Sequence, residues 1–169
     1  MPAARPRPLD VRDVLEGRAT PAGTVLLVDD VGFHPATSGA EELARRGCAV
    51  EVVTGALVVG QDLGLTLDLE LWNARAAAAG IVRTVERVVL GVHARSDGRR
   101  SVRLLHHPTG GAEVRVVDWV VAATHPRPDD ALWHELSGSG LELHRVGDCL
   151  APRRAHAATV EGARVGAAL

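Results

Sequence analysis

The chain has 169 residues, a net charge of −2 from 19 basic and 21 acidic side chains, and two cysteines. That length suits one domain, or one and a small further piece, and the balanced charge gives no reason to expect nucleic acid or an anionic membrane surface. Three Trp, one Phe and no Tyr argue against base-stacking surfaces, and no apolar run approaches the roughly 20 residues that span a bilayer.

The opening MPAARPRPLD is rich in Pro and Arg and has no apolar stretch behind its arginines, so it reads as an extended or disordered arm rather than a secretory leader. Cys48 and Cys149 are far apart in sequence, which suits reduced thiols and a cytoplasmic protein. Asp10 to Gly17 predicts one or two helical turns, with Asp10 as cap and Gly17 as stop. Residues 1–23 thus form an arm and connector.

The stretch Thr24–Thr54 organises the rest of the chain. The apolar run Val25–Val28 breaks at Asp29–Asp30, and a loop with Gly32 leads to a predicted helix from about Thr37 to Arg46. Gly47 stops it, and Ala49–Val53 is a second strand. Strand, loop, helix and strand open a βαβ unit, the usual start of a Rossmann-type domain. The loop departs from that pattern. In place of G-x-G-x-x-G it reads Asp29-Asp30-Val31-Gly32-Phe33-His34-Pro35-Ala36-Thr37-Ser38-Gly39. Glycines are needed there for a tight turn and for close approach to a pyrophosphate. Val53-Thr54-Gly55 also lacks the acid that would hold a ribose hydroxyl, so the loop argues against NAD(P)H binding.

Residues 55–68 mix glycines with apolar residues and read as an irregular loop. Leu67–Ala79 predicts a helix with Leu67, Leu71, Ala74 and Ala78 on one face. From Val85 the period drops to two. Val85–Ala94, Ser101–His106 and Glu113–Val117 form a β-meander, divided by the turn sequences Ser96-Asp97-Gly98 and Pro108-Thr109-Gly110-Gly111. Trp119–Ala123 returns as a buried-type strand. A Pro-rich turn, a short helix Ala131–Leu136, the flexible Ser137–Gly140, a last strand Leu143–Val146 and a helical tail Pro152–Leu169 complete the chain. The order predicts an α/β, Rossmann-like three-layer sandwich with a mostly parallel sheet plus a β-meander.

Three stretches carry a family resemblance: VLLVDDVGFHPATSGAEELARRGCAVEVVT, DWVVAATHPRPDDAL and HRVGDCLAPRRAHAATVEGARVGAAL. The second resembles the "strand then ATG-x-x-P" segment of flavoproteins with two dinucleotide domains, His125 standing for its glycine. The third resembles the GD segment that closes their flavin domain. Together, over about residues 10–169, they resemble the C-terminal region of the trimethylamine dehydrogenase / 2,4-dienoyl-CoA reductase family. The resemblance implies an NAD(P)-binding-like domain over 24–140 and, over 141–169, the closing segment of a flavin- or ADP-binding domain.

Members of that family also carry a flavin barrel with FMN and a four-iron four-sulfur cluster, and no cysteine set here could hold the cluster. The resemblance therefore implies a detached small subunit of a heteromeric flavoenzyme. Its partners would be a large flavin-barrel subunit carrying the FMN and cluster and, in the amine-dehydrogenase branch, an electron-transfer protein. The two chains would share FAD or ADP. Gly147, Asp148, Cys149, Pro152, Arg153 and Arg154 match the cofactor side of the GD segment. Asp148 would contact the ribityl or pyrophosphate side, Pro152 would open the tail helix, and Arg153 and Arg154 would start it, facing a pyrophosphate or an acidic partner. The plainer readings are a capping Asp148 and a solvated basic turn.

No catalytic acid or base is assigned to this chain. His34, His106, His107, His125, His134, His144 and His156 are scattered without ligand spacing, which argues against a metal. Ser38, Ser137 and Ser139 lack a nucleophile elbow, and the negative charge of Asp148 disfavours a thiolate at Cys149. Two other functions stay open: a non-catalytic Rossmann-like scaffold or regulatory subunit, and a free-standing NAD(P)H-binding protein.

Overall fold

The structure is a computed structural model and describes residues 7–169. The arm expected over residues 1–9 lies for its first six positions outside the described residues. Leu9–Asp10, by contrast, is a short strand, β1, in register with Val121 and Ala122 of a later strand. Asp10 then caps helix α1 (Val11–Leu15), its carboxylate accepting the Arg12 backbone N–H at 2.8 Å.

The βαβ unit forms as predicted from β2 (Thr24–Asp29), α2 (His34–Arg45) and β3 (Ala49–Val53). Helix α2 starts three residues before the predicted Thr37, because Pro35 falls in its first turn, where its missing N–H costs nothing. The loop after β3 carries one 3-10 turn, Gln61–Leu65, and α3 follows over Leu69–Ala78. Then come β4 (Val82–Thr84), β5 (Arg87–Ala94), β6 (Arg100–His106), β7 (Gly111–Val117) and β8 (Trp119–Ala123).

Strands β1, β8, β2, β3 and β4 lie in that order in an all-parallel sheet, and β5, β6 and β7 form an antiparallel sheet of their own. Side chains alternate faces along a strand, and that alternation builds two cores. Val25, Leu27, Val50, Val52 and Val121 face one way and pack with Val11, Val14, Ala36, Ala40, Leu43, Trp72 and Ala76 of the helices. Leu26, Val53 and Val120 face the other way, against Val92, Val102, Leu104 and Val117 of the meander. The result is the expected three-layer Rossmann-like sandwich: helices, parallel sheet, meander.

Asp118 fixes how β8 enters beside β2, accepting both the backbone N–H and the hydroxyl of Thr24, at 2.8 and 2.6 Å. Glu51 on β3 binds Arg115 of β7 at 3.1 Å and accepts the Thr84 hydroxyl at 2.7 Å, tying the parallel sheet to the meander with charge as well as apolar surface. Arg46 closes α1, donating to the carbonyls of Val14 and Ala19 at 2.9 and 3.2 Å while Glu42 holds its Nε at 2.7 Å.

Three local expectations change. The buried face of α3 is Trp72 and Ala76, not the Leu67–Leu71 stripe; Leu67 is 86% exposed and Leu71 64%. Leu67 lies before the helix in the left-handed region (φ 62°), so it does not extend the helical periodicity. Residues 143–146 form no ladder, since a strand needs a backbone partner and none of the described strands pairs with them. The tail helix α5 spans Ala155–Gly166, so Pro152, Arg153 and Arg154 precede it.

The chain divides into two compact units, one ending at Thr124 and the other running from His125 to Leu169. The second contains α4 (Ala131–Leu136), a 3-10 turn (Gly147–Cys149) and α5. No helix among the described residues is long and apolar enough to cross a membrane.

Candidate functional site: two loops and a closing turn

In an open parallel sheet, ligands bind outside the carboxyl ends of the strands, with a phosphate on the first loop and helix N-terminus. In the first unit that place belongs to Asp29, the last residue of β2 and 1% exposed. Its Oδ1 accepts the Gly32 N–H at 2.7 Å and its Oδ2 accepts the Gly60 N–H at 2.9 Å. Burial pushes the Asp29 carboxyl above its ordinary range, against the opposing pull of the Gly60, Gly32 and Val31 backbone donors. The Asp62 N–H also donates to the Gly32 carbonyl at 2.8 Å, and Val59 and Leu63 are buried in the helix-side core. The loop after β3 is therefore sewn onto the loop after β2.

Gly60 is required at this seam. Its φ is 68°, and a Cβ there would lie 2.9 Å from Thr37 Cγ2 and 3.1 Å from Leu63 Cδ1. Sequence reasoning marks Asp29 and Asp30 alike as carboxylates where phosphates would sit, but misses Gly60, whose contribution depends on a fold-back of the 55–63 loop that no periodicity announces.

In the second unit the structure brings Gly147, Asp148, Cys149, Pro152, Arg153 and Arg154 into one turn ahead of α5. Gly147 has φ 65°, and a Cβ there would meet the Ala158 Cβ at 3.1 Å, so glycine lets this turn lie against α5. The Gly147 N–H donates to Glu161 Oε2 at 2.8 Å. Glu161 also pairs with the Arg153 guanidinium, which donates through Nε to the Ala151 carbonyl at 3.2 Å. Asp148 is exposed and its Oδ1 receives the Arg153 N–H at a long 3.4 Å. The Cys149 thiol donates to the Val146 carbonyl at 3.0 Å.

No side chain caps α5. Its first amides and the exposed Asp148 carboxylate lie close together in the chain, a donor set that suits a phosphate and an acceptor that suits a ribose or ribityl hydroxyl. Pro152 shapes the approach rather than opening the helix. Glu161, which the sequence does not single out, holds both Gly147 and Arg153 from the second turn of α5. Its only sequence signal is that it is an acid on an otherwise small, apolar stretch of helix.

The same unit has a cavity of about 230 Å³ lined by Leu132, Trp133, Leu136, Leu143, Arg145 and Cys149, among others. The Arg145 guanidinium stacks over Trp133, 4.3 Å from its ring centre, and binds Asp130 at 2.6 Å. Among the described residues no group of His, Cys, Asp and Glu is arranged to hold a metal ion. His125 is exposed, and burial holds the Cys48 thiol protonated beside the Pro21 carbonyl.

The layering defines the chain first as an α/β protein with a Rossmann-like fold. No protein-family model matches it. Its sequence is 28% identical over 183 residues to the N,N-dimethylglycine/sarcosine dehydrogenase of Chromohalobacter salexigens, covering 90% of this chain and 26% of that protein. It is 27% identical over 180 residues to a probable N-methylproline demethylase of Rhizobium meliloti, with the same coverage of each. The fold matches the 6-hydroxypseudooxynicotine amine oxidase of Pseudomonas geniculata N1 with a TM-score of 0.81 and 29% identity, over 94% of this chain and 24% of that one. These likenesses support kinship with flavoprotein oxidoreductases. The chain spans about a quarter of the length of the relatives it matches.

Proposed function

We propose that this chain is the small subunit of a heteromeric flavin-dependent oxidoreductase of the amine dehydrogenase, demethylase or enoyl-reductase kind. It completes an FAD- or ADP-binding module through the turn at Gly147–Arg154, while a large barrel subunit carries FMN and a four-iron four-sulfur cluster. One observation carries the reading. The unit that presents this turn has no buried apolar side chain among the described residues, and Gly147 is its only buried residue. Its residues 143–146 form no ladder with any described strand. A unit with so little buried apolar surface supports the reading that it is completed by a partner.

The residues present fit a nucleotide's polar half. Asp148 would accept from a sugar or ribityl hydroxyl and the uncapped amides of α5 would donate to a pyrophosphate oxygen, while Gly147 keeps the turn close to the helix. Glu161 restrains Arg153, so the guanidinium offers positive charge at a fixed place. Bound flavin would supply two-electron redox chemistry, whereas bound ADP would supply only structure. This chain then binds and orients, with no catalytic group of its own. The names of the relatives, which include N-methylated amino acids and an amine, favour an amine substrate held by the partner.

The test is affinity purification of the tagged full chain from its own cells, followed by flavin absorbance and nucleotide analysis. A yellow complex with a larger flavoprotein is expected, and Asp148→Ala should lower its FAD or ADP content while leaving the circular dichroism of the chain unchanged. A chain that purifies alone, colourless and monomeric, would contradict the proposal.

A further inference from the structure

The crevice of the first unit has the form of a dinucleotide site and the contents of a closed seam. We infer that Asp29 is an internal stand-in for a phosphate: its carboxylate sits on the Gly32 and Gly60 N–H groups and latches the loops after β2 and β3 together, so that this crevice admits no dinucleotide.

Four observations carry this. The carboxylate is at the end of β2, where the first βα loop of a Rossmann domain presents its amides to pyrophosphate. Each of its oxygens is used by a different loop, Gly32 at 2.7 Å and Gly60 at 2.9 Å, as a bridging phosphate would be. The two loops are joined a second time, independently of Asp29, by the Asp62 N–H on the Gly32 carbonyl. Val59 and Leu63 of the second loop are buried in the helix-side core, both 1% exposed. A negatively charged ligand would have to displace a negative group already hydrogen-bonded and desolvated, and to pull the Val59–Leu63 loop out of the core.

The latch also explains why a buried carboxylate is tolerated. Backbone donors satisfy both its oxygens, whereas an aliphatic residue at position 29 would leave the Gly60 N–H, itself buried, without its partner. Asp30, the next residue, is exposed and takes no part in the seam. The two acids that look alike in sequence therefore do different things. This inference is independent of the flavin-module proposal, and either can fail alone.

The experiment is amide NMR on the full-length chain and on Asp29→Asn, which keeps the shape of the side chain and removes its charge. In the wild type, NADPH and inorganic pyrophosphate at millimolar concentration should leave the Gly32 and Gly60 resonances unmoved. In Asp29→Asn both amides should exchange with solvent at least about tenfold faster, since each loses a charge-assisted acceptor. Saturable shifts at these amides with either probe in the wild type would overturn the inference, as would unchanged exchange in the variant. Should Asp29→Asn fail to fold, Gly60→Ala is the second variant. Its Cβ would push the Gly60 N–H off the carboxylate, so the Gly60 amide should exchange faster while strands β2 and β8 stay protected; wild-type exchange at that amide would also overturn the inference.

Discussion

The two units of this chain divide the labour of folding unequally. The first carries two apolar cores on the two faces of one parallel sheet, and every buried apolar side chain among the described residues lies at or before Ala123. The second has two helices and a well-formed turn, but exposes Leu132, Leu141 and Leu150. The first is complete and has closed its ligand crevice with its own carboxylate. The second buries no apolar side chain among the described residues and keeps an exposed acid ahead of an uncapped helix. Finished packing and the exposed turn lie in different units of the chain, a division that the proposed split cofactor module would account for.

Tryptophan truncation exposes this difference most sharply. Trp72 is fully buried among the helices, so Trp72→Ala should cost about 3–5 kcal/mol of the first unit's stability in urea unfolding. Trp133, half-buried beneath Arg145, should cost the isolated chain less than about 1 kcal/mol. Equal effects would erase the contrast. Next in size is Gly147→Ala, which places a Cβ at φ 65° and 3.1 Å from Ala158. It should loosen the turn from α5 at a cost of about 1–3 kcal/mol, seen as weakened NMR contacts between Gly147 and Ala158.

Smaller effects depend on pH, and they run in opposite directions. The Asp29 carboxyl is raised above its ordinary 3.8 by burial, so the folded state binds its proton more tightly than the unfolded state does. Its contribution is full below 3.8 and is lost as pH rises through the folded value, a slope that Asp29→Asn should remove. Glu42 is held down to about 2, first by its hydrogen bonds from Arg45 and then from Arg46. Its contribution is present above the ordinary 4.5 and is lost as pH falls toward 2, so Glu42→Gln should flatten acid unfolding in that window. Thermal melts across about pH 2–6 of the wild type and both variants separate the two.

Much of the first unit is legible in the sequence because its signals are local. The apolar run Val25–Val28, Gly47, the Asp97-Gly98 turn and the period of two from Val85 each reflect side-chain alternation or backbone freedom, and the strands form with ends shifted slightly, Arg87 in place of Val85 and Gly111 in place of Glu113. The helix face at Trp72 and Ala76 is obscured because Leu67 and Leu71, more apolar by composition, stand on the exposed side. The latch is only half legible: Asp29 is visible as an acid out of place, while its second partner, Gly60, is 31 residues away and reaches it through a loop without periodicity. In the second unit, Gly147 and Asp148 stand out as a pair, but Glu161 takes its role from the path of α5, and the expected strand at 143–146 has no partner within the described residues to make it one.

The most direct measurement is hydrogen–deuterium exchange on the full chain, alone and with the larger flavoprotein that the proposal expects to co-purify. The account predicts slow exchange in β2, β3 and β8 under both conditions. Residues 141–169 should exchange fast in the free chain and become protected in the flavoprotein complex. Strong protection of 141–169 in the free chain would show that the second unit is complete by itself, and would contradict the account.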